Sequence, residues 1–157
     1  MPLSQGFAPV VKELHIVIGS IAIGVNAVAG LYGAWRWWRV KPRTVWFWRL
    51  VRAGQAFVVI EAVFGGVLDL TDHKAPWLHV LYGLLPLLVA FLAEQLRIAS
   101  AQMVLDTRGF ESSAAVGELP PDEQRSVVTA TLRREVGVMT LSALVVVGLL
   151  ARAAATG

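Results

Sequence analysis

Long apolar runs, each about 20 residues and separated by short polar breaks, dominate the chain. A helix needs about that length to cross the hydrocarbon core of a bilayer. The runs predict four spans, at about 11–35, 47–70, 76–97 and 127–152. The β-branched residues and glycines inside them weigh little against helix in lipid, where the backbone must satisfy its own hydrogen bonds. Arg133, Arg134 and Glu135 sit early in the fourth run, so its lipid-embedded part is expected to begin near Val136. The predicted fold is all-α: one integral-membrane domain over 1–157, a four-helix up-down bundle.

The connections set the expected direction. Arg36, Arg39, Lys41, Arg43, Arg49 and Arg52 crowd around the first connection with no acid among them, a positive-inside signal. The second connection carries Asp69, Asp72, His73 and Lys74 and suits the outer side. Both termini are therefore expected outside a plasma (inner) membrane, and the first apolar run is expected to remain as a span. Trp35, Trp37, Trp38, Trp46 and Trp48 flank the basic hairpin as an interfacial belt, with Trp77 at the opposite side.

The stretch 99–126 is the sizeable soluble part, expected on the cytoplasmic side. Ala99 to Leu105 is read as a continuation of the third helix and Asp106 to Gly109 as a break. Glu111 to Gly117 is read as a mobile loop, and Pro120-Pro121 followed by Asp122 and Glu123 as a helix start. There is too little chain here for an enzyme domain.

Composition agrees with this picture and narrows the chemistry. The 157 residues are 56% hydrophobic and 16% charged, with mean hydropathy +0.62. So few charges leave apolar surface for lipid or partner proteins. The net charge of +3 and pI near 9.8 do not argue for nucleic acid, because the basic residues abut the spans. The absence of cysteine excludes disulfides, thiol chemistry, covalent haem attachment and Cys-ligated metals.

One internal echo carries a lead. Leu14-His15-Ile16-Val17-Ile18-Gly19 and Leu78-His79-Val80-Leu81-Tyr82-Gly83 both read L-H-x-x-x-G, near the outer ends of the odd-numbered spans. It suggests two related helical hairpins. At helical pitch His15, Gly19, Ala22, Asn26, Ala29 and Gly33 share one small, polar face. His79, Gly83, Pro86 and Ala90 form the matching stripe, and Gly54, Val58, Glu61, Gly65 and Asp72 a third. In an up-down bundle the odd-numbered spans are diagonal, so His15 and His79 are expected to face each other.

Two histidines across a bundle, each with glycine one turn away, suit the axial positions of a haem iron. On these two His-x-x-x-Gly stretches the chain resembles the diheme-type membrane cytochromes b. The resemblance is one of architecture and implies a b-type haem on His15 and His79, with Gly19, Gly83 and Asn26 beside it. The competing readings are a non-haem metal site that recruits His73 and outer-side carboxylates, and histidines with no cofactor that only hydrogen-bond neighbouring helices. Glu61 is placed roughly 13 Å inside span two. A carboxylate there costs about 2.5–3.5 kcal/mol to insert, so it should be protonated, paired or wet. It is the candidate proton or quinone group, or else bonds Asn26, Gln55 or Thr140.

Three functions follow as expectations. The first is a haem-bearing electron-transfer subunit acting with quinone, which would use the paired histidines. The second is a non-catalytic accessory or assembly subunit of a larger membrane complex, suggested by the short loops. The third is a small transporter or metal-binding membrane protein, with Asn26 and Glu61 along its path.

Overall fold

The computed structural model describes residues 4–39, 45–71 and 74–157, with side chains from residue 9 onward at the first of these. Five helices occupy nearly all of them: α1 (Ser4–Trp38), α2 (Val45–Leu70), α3 (Trp77–Thr107), α4 (Ser113–Gly117) and α5 (Pro121–Ala154). No strand occurs among the described residues. α1, α2, α3 and α5 are each long and apolar enough to cross a membrane. The expected runs therefore correspond to real helices, but α3 and α5 extend well past the spans. At 1.5 Å per residue α5 is about 50 Å long, against a hydrocarbon core of about 30 Å.

Side-chain contacts fix the directions of the long helices. His15 lies over Gly65 while Gly33 meets Phe47, so α1 and α2 run oppositely. Gly30 faces Leu144, Gly33 faces Thr140 and Trp37 covers Gly137, which makes α1 and α5 antiparallel. His79 meets Ala153 while Arg97 meets Glu135, so α3 opposes α5. Extensive packing joins α1 to α2, α1 to α5 and α3 to α5, whereas α2 and α3 touch more thinly. α1 and α3 consequently sit across from one another.

The interior is built from small and β-branched side chains because the helices approach closely. One core layer holds Ala29, Phe47, Val51, Ala93, Val136, Met139 and Ala143. The next, toward the histidine end, holds Ala22, Val58, Val146 and Leu150. Gly30 and Gly33 let α1 press onto α5 and α2, since a Cβ at Gly30 would overlap Leu144 and one at Gly33 would overlap Phe47 and Thr140. Gly24 and Gly66 instead face open space. Their neighbours in sequence do the packing, because the helical phase turns both outward.

The stretch 111–117 does not behave as a free loop. α3 ends in a Schellman arrangement: Gly109 takes φ 75°, Phe110 N–H donates to Leu105 O and Gly109 N–H to Asp106 O. That turn sends the chain back so that Val116 of α4 buries with Val104 and Val127, flanked by Leu105, Phe110 and Leu119. The Gln124 amide donates to Gly117 O and Leu119 O, tying α4 to the start of α5. Serine and glycine suggested mobility, but the alternate apolar residues Val116 and Leu119 supply an anchor. Pro121 opens α5 with Asp122 and Glu123 in its first turn, as its sequence indicated.

Candidate functional site

At one end of the molecule three helices bring His15, Glu61 and His79 together. The two imidazole centroids are 5.9 Å apart with planes at 64°. His15 Nδ1 lies 3.1 Å from Glu61 Oε1, off the line of an aligned hydrogen bond, so the contact is electrostatic. Both side chains are mostly buried, at 17% and 12% exposed. The position follows from local spacing. Gly19 is one turn inward from His15, and its missing Cβ leaves the space that the Glu61 carboxyl fills, 2.6 Å from where a Cβ would stand. Gly65, one turn outward from Glu61, receives the edge of the His15 ring in the same way.

His79 is oriented by a different helix. Its Nδ1 lies 2.9 Å from Ala153 O near the end of α5. A carbonyl only accepts, so Nδ1 is the protonated nitrogen and Nε2 keeps its lone pair in the neutral ring. A carboxylate facing His15 Nδ1 favours the same tautomer there. No hydrogen bond to a described residue engages either Nε2. Metal-bound histidines commonly have their outer nitrogen held by a carboxylate or carbonyl in this way; here the two rings meet edge to face.

Several sequence candidates lie elsewhere. Asn26, about 16 Å further along α1, donates to Ala22 O of its own helix and packs its amide on Gly54. It is 4% exposed and takes part in helix packing, away from the histidines. Glu61 meets neither Asn26, Gln55 nor Thr140: His15 is its partner, and Oε2 is buried without one. Gly83 has nothing within 4 Å of a Cβ position, leaving the α3 backbone open one turn inward from His79. His73 and Asp72 fall outside the described residues. Among the described residues no group of three or more His, Asp or Glu is placed to hold a metal ion.

A second polar cluster, at the opposite end, was not expected. Glu94 accepts from Arg52 Nη1, from Gln55 Nε2 at 2.9 Å and from Arg97 Nε at 3.0 Å, and Arg97 also reaches Glu135 at 3.5 Å. By position alone, Glu94 and Arg97 at the end of the third apolar run would merely extend to the interface. Instead they tie α2, α3 and α5 where the α2–α3 packing is thin. Only their i, i+3 pairing is visible in one dimension; Arg52, Gln55 and Glu135 arrive from other helices. Arginines also lie over the belt tryptophans, Arg49 over Trp46 from the same helix, and Arg97 over Trp48 and Arg133 over Trp37 from α3 and α5.

No protein-family model, curated protein or solved structure matches this chain. The chemistry must therefore be read from its own residues.

Proposed function

We propose that the chain is a four-span up-down helical bundle of the plasma membrane that holds a b-type haem between His15 and His79 and serves as an electron-transfer subunit acting with quinone. The membrane part is supported by large apolar side chains left uncovered along the long helices, among them Leu31 at 68%, Phe91 at 60% and Leu141 at 65% exposed. The basic Trp-rich connection then faces the cytoplasm and the histidines lie toward the outer side.

The observation that carries the redox part is the opposed imidazole pair with each Nδ1 facing an oxygen. An ion between two imidazoles, at about 2.0 Å from each nitrogen, separates the ring centres by roughly 6 Å. The 5.9 Å between centroids found here is of that size, and a shared ion requires in addition that both Nε2 atoms point into the gap. Among the described residues no third side chain is placed to join the two nitrogens, and such a pair suits a group that brings its own equatorial donors better than a bare zinc ion. The open backbone at Gly83 offers room on the α3 side, while Glu61 fills the corresponding space on the α1 side.

When bound, haem supplies a reversible one-electron couple. The chain's own part is orientation and proton handling. Ala153 O holds His79 in one tautomer, and Glu61 sets the His15 ring and presents a carboxyl at the edge of the site. That carboxyl can accept a proton from a quinol, or return one, with the neutral His15 ring beside it as a dipole and not as a counter-charge.

The test is the absorption spectrum of the detergent-purified protein from a haem-replete host. One haem per chain is expected, with reduced-minus-oxidised bands that vanish in His15→Ala and His79→Ala. A colourless wild-type protein, or full haem content in the double variant, refutes the redox reading and leaves the membrane reading intact.

A further inference from the structure

Away from the histidines, a cavity of about 810 Å3 opens between the end of α1 and the first half of α5. Its wall is a stripe of α5 at near-helical spacing: Arg125, Ser126, Thr129, Arg133, Arg134 and Gly137. Trp37 closes the other side. Its Nε1 is 3.4 Å from where a Gly137 Cβ would stand, so the indole lies close against α5, and Arg133 sits 5.9 Å from its ring centre.

The charge in this cavity is unbalanced. Three guanidiniums line it against one carboxylate, Asp122, and that carboxylate pairs with Arg125 at 3.6 Å. Arg133 and Arg134 have no carboxylate partner among the described residues. Ser126 Oγ already accepts from Arg108 Nη1 at 3.0 Å, which leaves its own proton to donate. Unneutralised guanidiniums, a free hydroxyl proton and an indole form a receptor for a phosphate with an apolar part attached.

We infer that this cavity binds the headgroup of an anionic glycerophospholipid of the cytoplasmic leaflet. The inference rests on the membrane reading above, which puts Trp37 and Arg133 at the inner interface. Basic pockets between helices on that side recognise lipid headgroups in this way. The volume is far more than inorganic phosphate fills, and Trp37, Ala130 and Gly137 give an apolar flank for the glycerol end. Arg133 and Arg134 grip the phosphate, while Asp122 works against binding by holding Arg125.

Native mass spectrometry of the detergent-solubilised full chain, titrated with short-chain phosphatidylglycerol or phosphatidylcholine, tests this. One phosphatidylglycerol is expected to be retained in preference to phosphatidylcholine. The double change Arg133→Gln/Arg134→Gln should lower that retention roughly 30-fold, at ~1 kcal/mol for each basic residue. Asp122→Asn should raise it, and Arg49→Gln, on the belt but outside the cavity, should not alter it. The two opposite signs separate loss of a site from loss of fold. Equal retention of both lipids by the wild type, or no change in the double variant, overturns the proposal. Displacement by millimolar inorganic phosphate also overturns it, since the site then reads a soluble anion. A chain that needs no detergent to stay in solution would instead overturn the membrane reading.

Discussion

The packing at Gly33 offers a direct test of how the helices meet. Replacing it with alanine places a Cβ 2.5 Å from Phe47 Cε2 and closer still to Thr140 Oγ1. Neither can retreat, because Phe47 is 0% and Thr140 6% exposed, and Met139 and Val51 fill the surrounding layer. α1 must therefore move off both α2 and α5. Over-packing of this kind costs about 1–3 kcal/mol. Gly24, on the same helix, has nothing within 4 Å of its Cβ position, so Gly24→Ala carries the gain in helix propensity, up to about 1 kcal/mol, without the clash. Propensity is common to both variants, so their difference isolates the clash. Scaled from soluble domains of similar length, Gly33→Ala should melt roughly 3–10 °C below Gly24→Ala. Thermal unfolding in detergent, followed by circular dichroism, measures it. Equal melting temperatures would mean that α1 does not approach α2 and α5 as described.

Other outcomes follow from the same contacts. Glu61→Gln should keep the fold but loosen His15, weakening haem retention by about 10–100-fold, as loss of an orienting partner does; unchanged retention removes Glu61 from that role. Glu94→Ala strips Arg52, Gln55 and Arg97 of their shared acceptor and should cost about 1–3 kcal/mol, less whatever water restores at half-exposed Arg52. A melting temperature equal to the wild type would count against the cluster as a tie between α2 and α3. Thr140 Oγ1 is buried without a partner, so Thr140→Val should be neutral or stabilising by the same melt. Because the chain lacks cysteine, single cysteines at Ser113 and Lys74 report topology with a membrane-impermeant maleimide. Lys74→Cys should label from outside intact cells and Ser113→Cys only after lysis; the reverse pattern inverts the proposed orientation.

Much of the helical framework can be read without coordinates, because each long helix satisfies its own backbone and announces itself by the length of its apolar run. The start of α5 was legible for a similar reason: Pro121, Asp122 and Glu123 act on the turn they belong to. The histidine pair was legible as an expectation through helical phase, since His15 and Gly19, or His79 and Gly83, share a face by spacing alone. The chemistry of those positions was less so. That Glu61 occupies the space left by Gly19, or that Ala153 O orients His79, depends on which helix lies alongside and at what height.

The same divide separates α4 and the Glu94 cluster from the rest. Val116 anchors α4 only because the Gly109 turn brings it to Val104 and Val127, and no local periodicity encodes that meeting. Glu94 and Arg97 look like interfacial residues until Arg52, Gln55 and Glu135 approach from α2 and α5. Residue order alone determined which stretches are helical and which faces are small, because backbone hydrogen bonding and helical pitch are local. Only the tertiary structure decided which polar groups become partners, since hydrogen bonds and ion pairs act within a few ångströms and distance across the bundle is set by how closely the glycines let the helices pack.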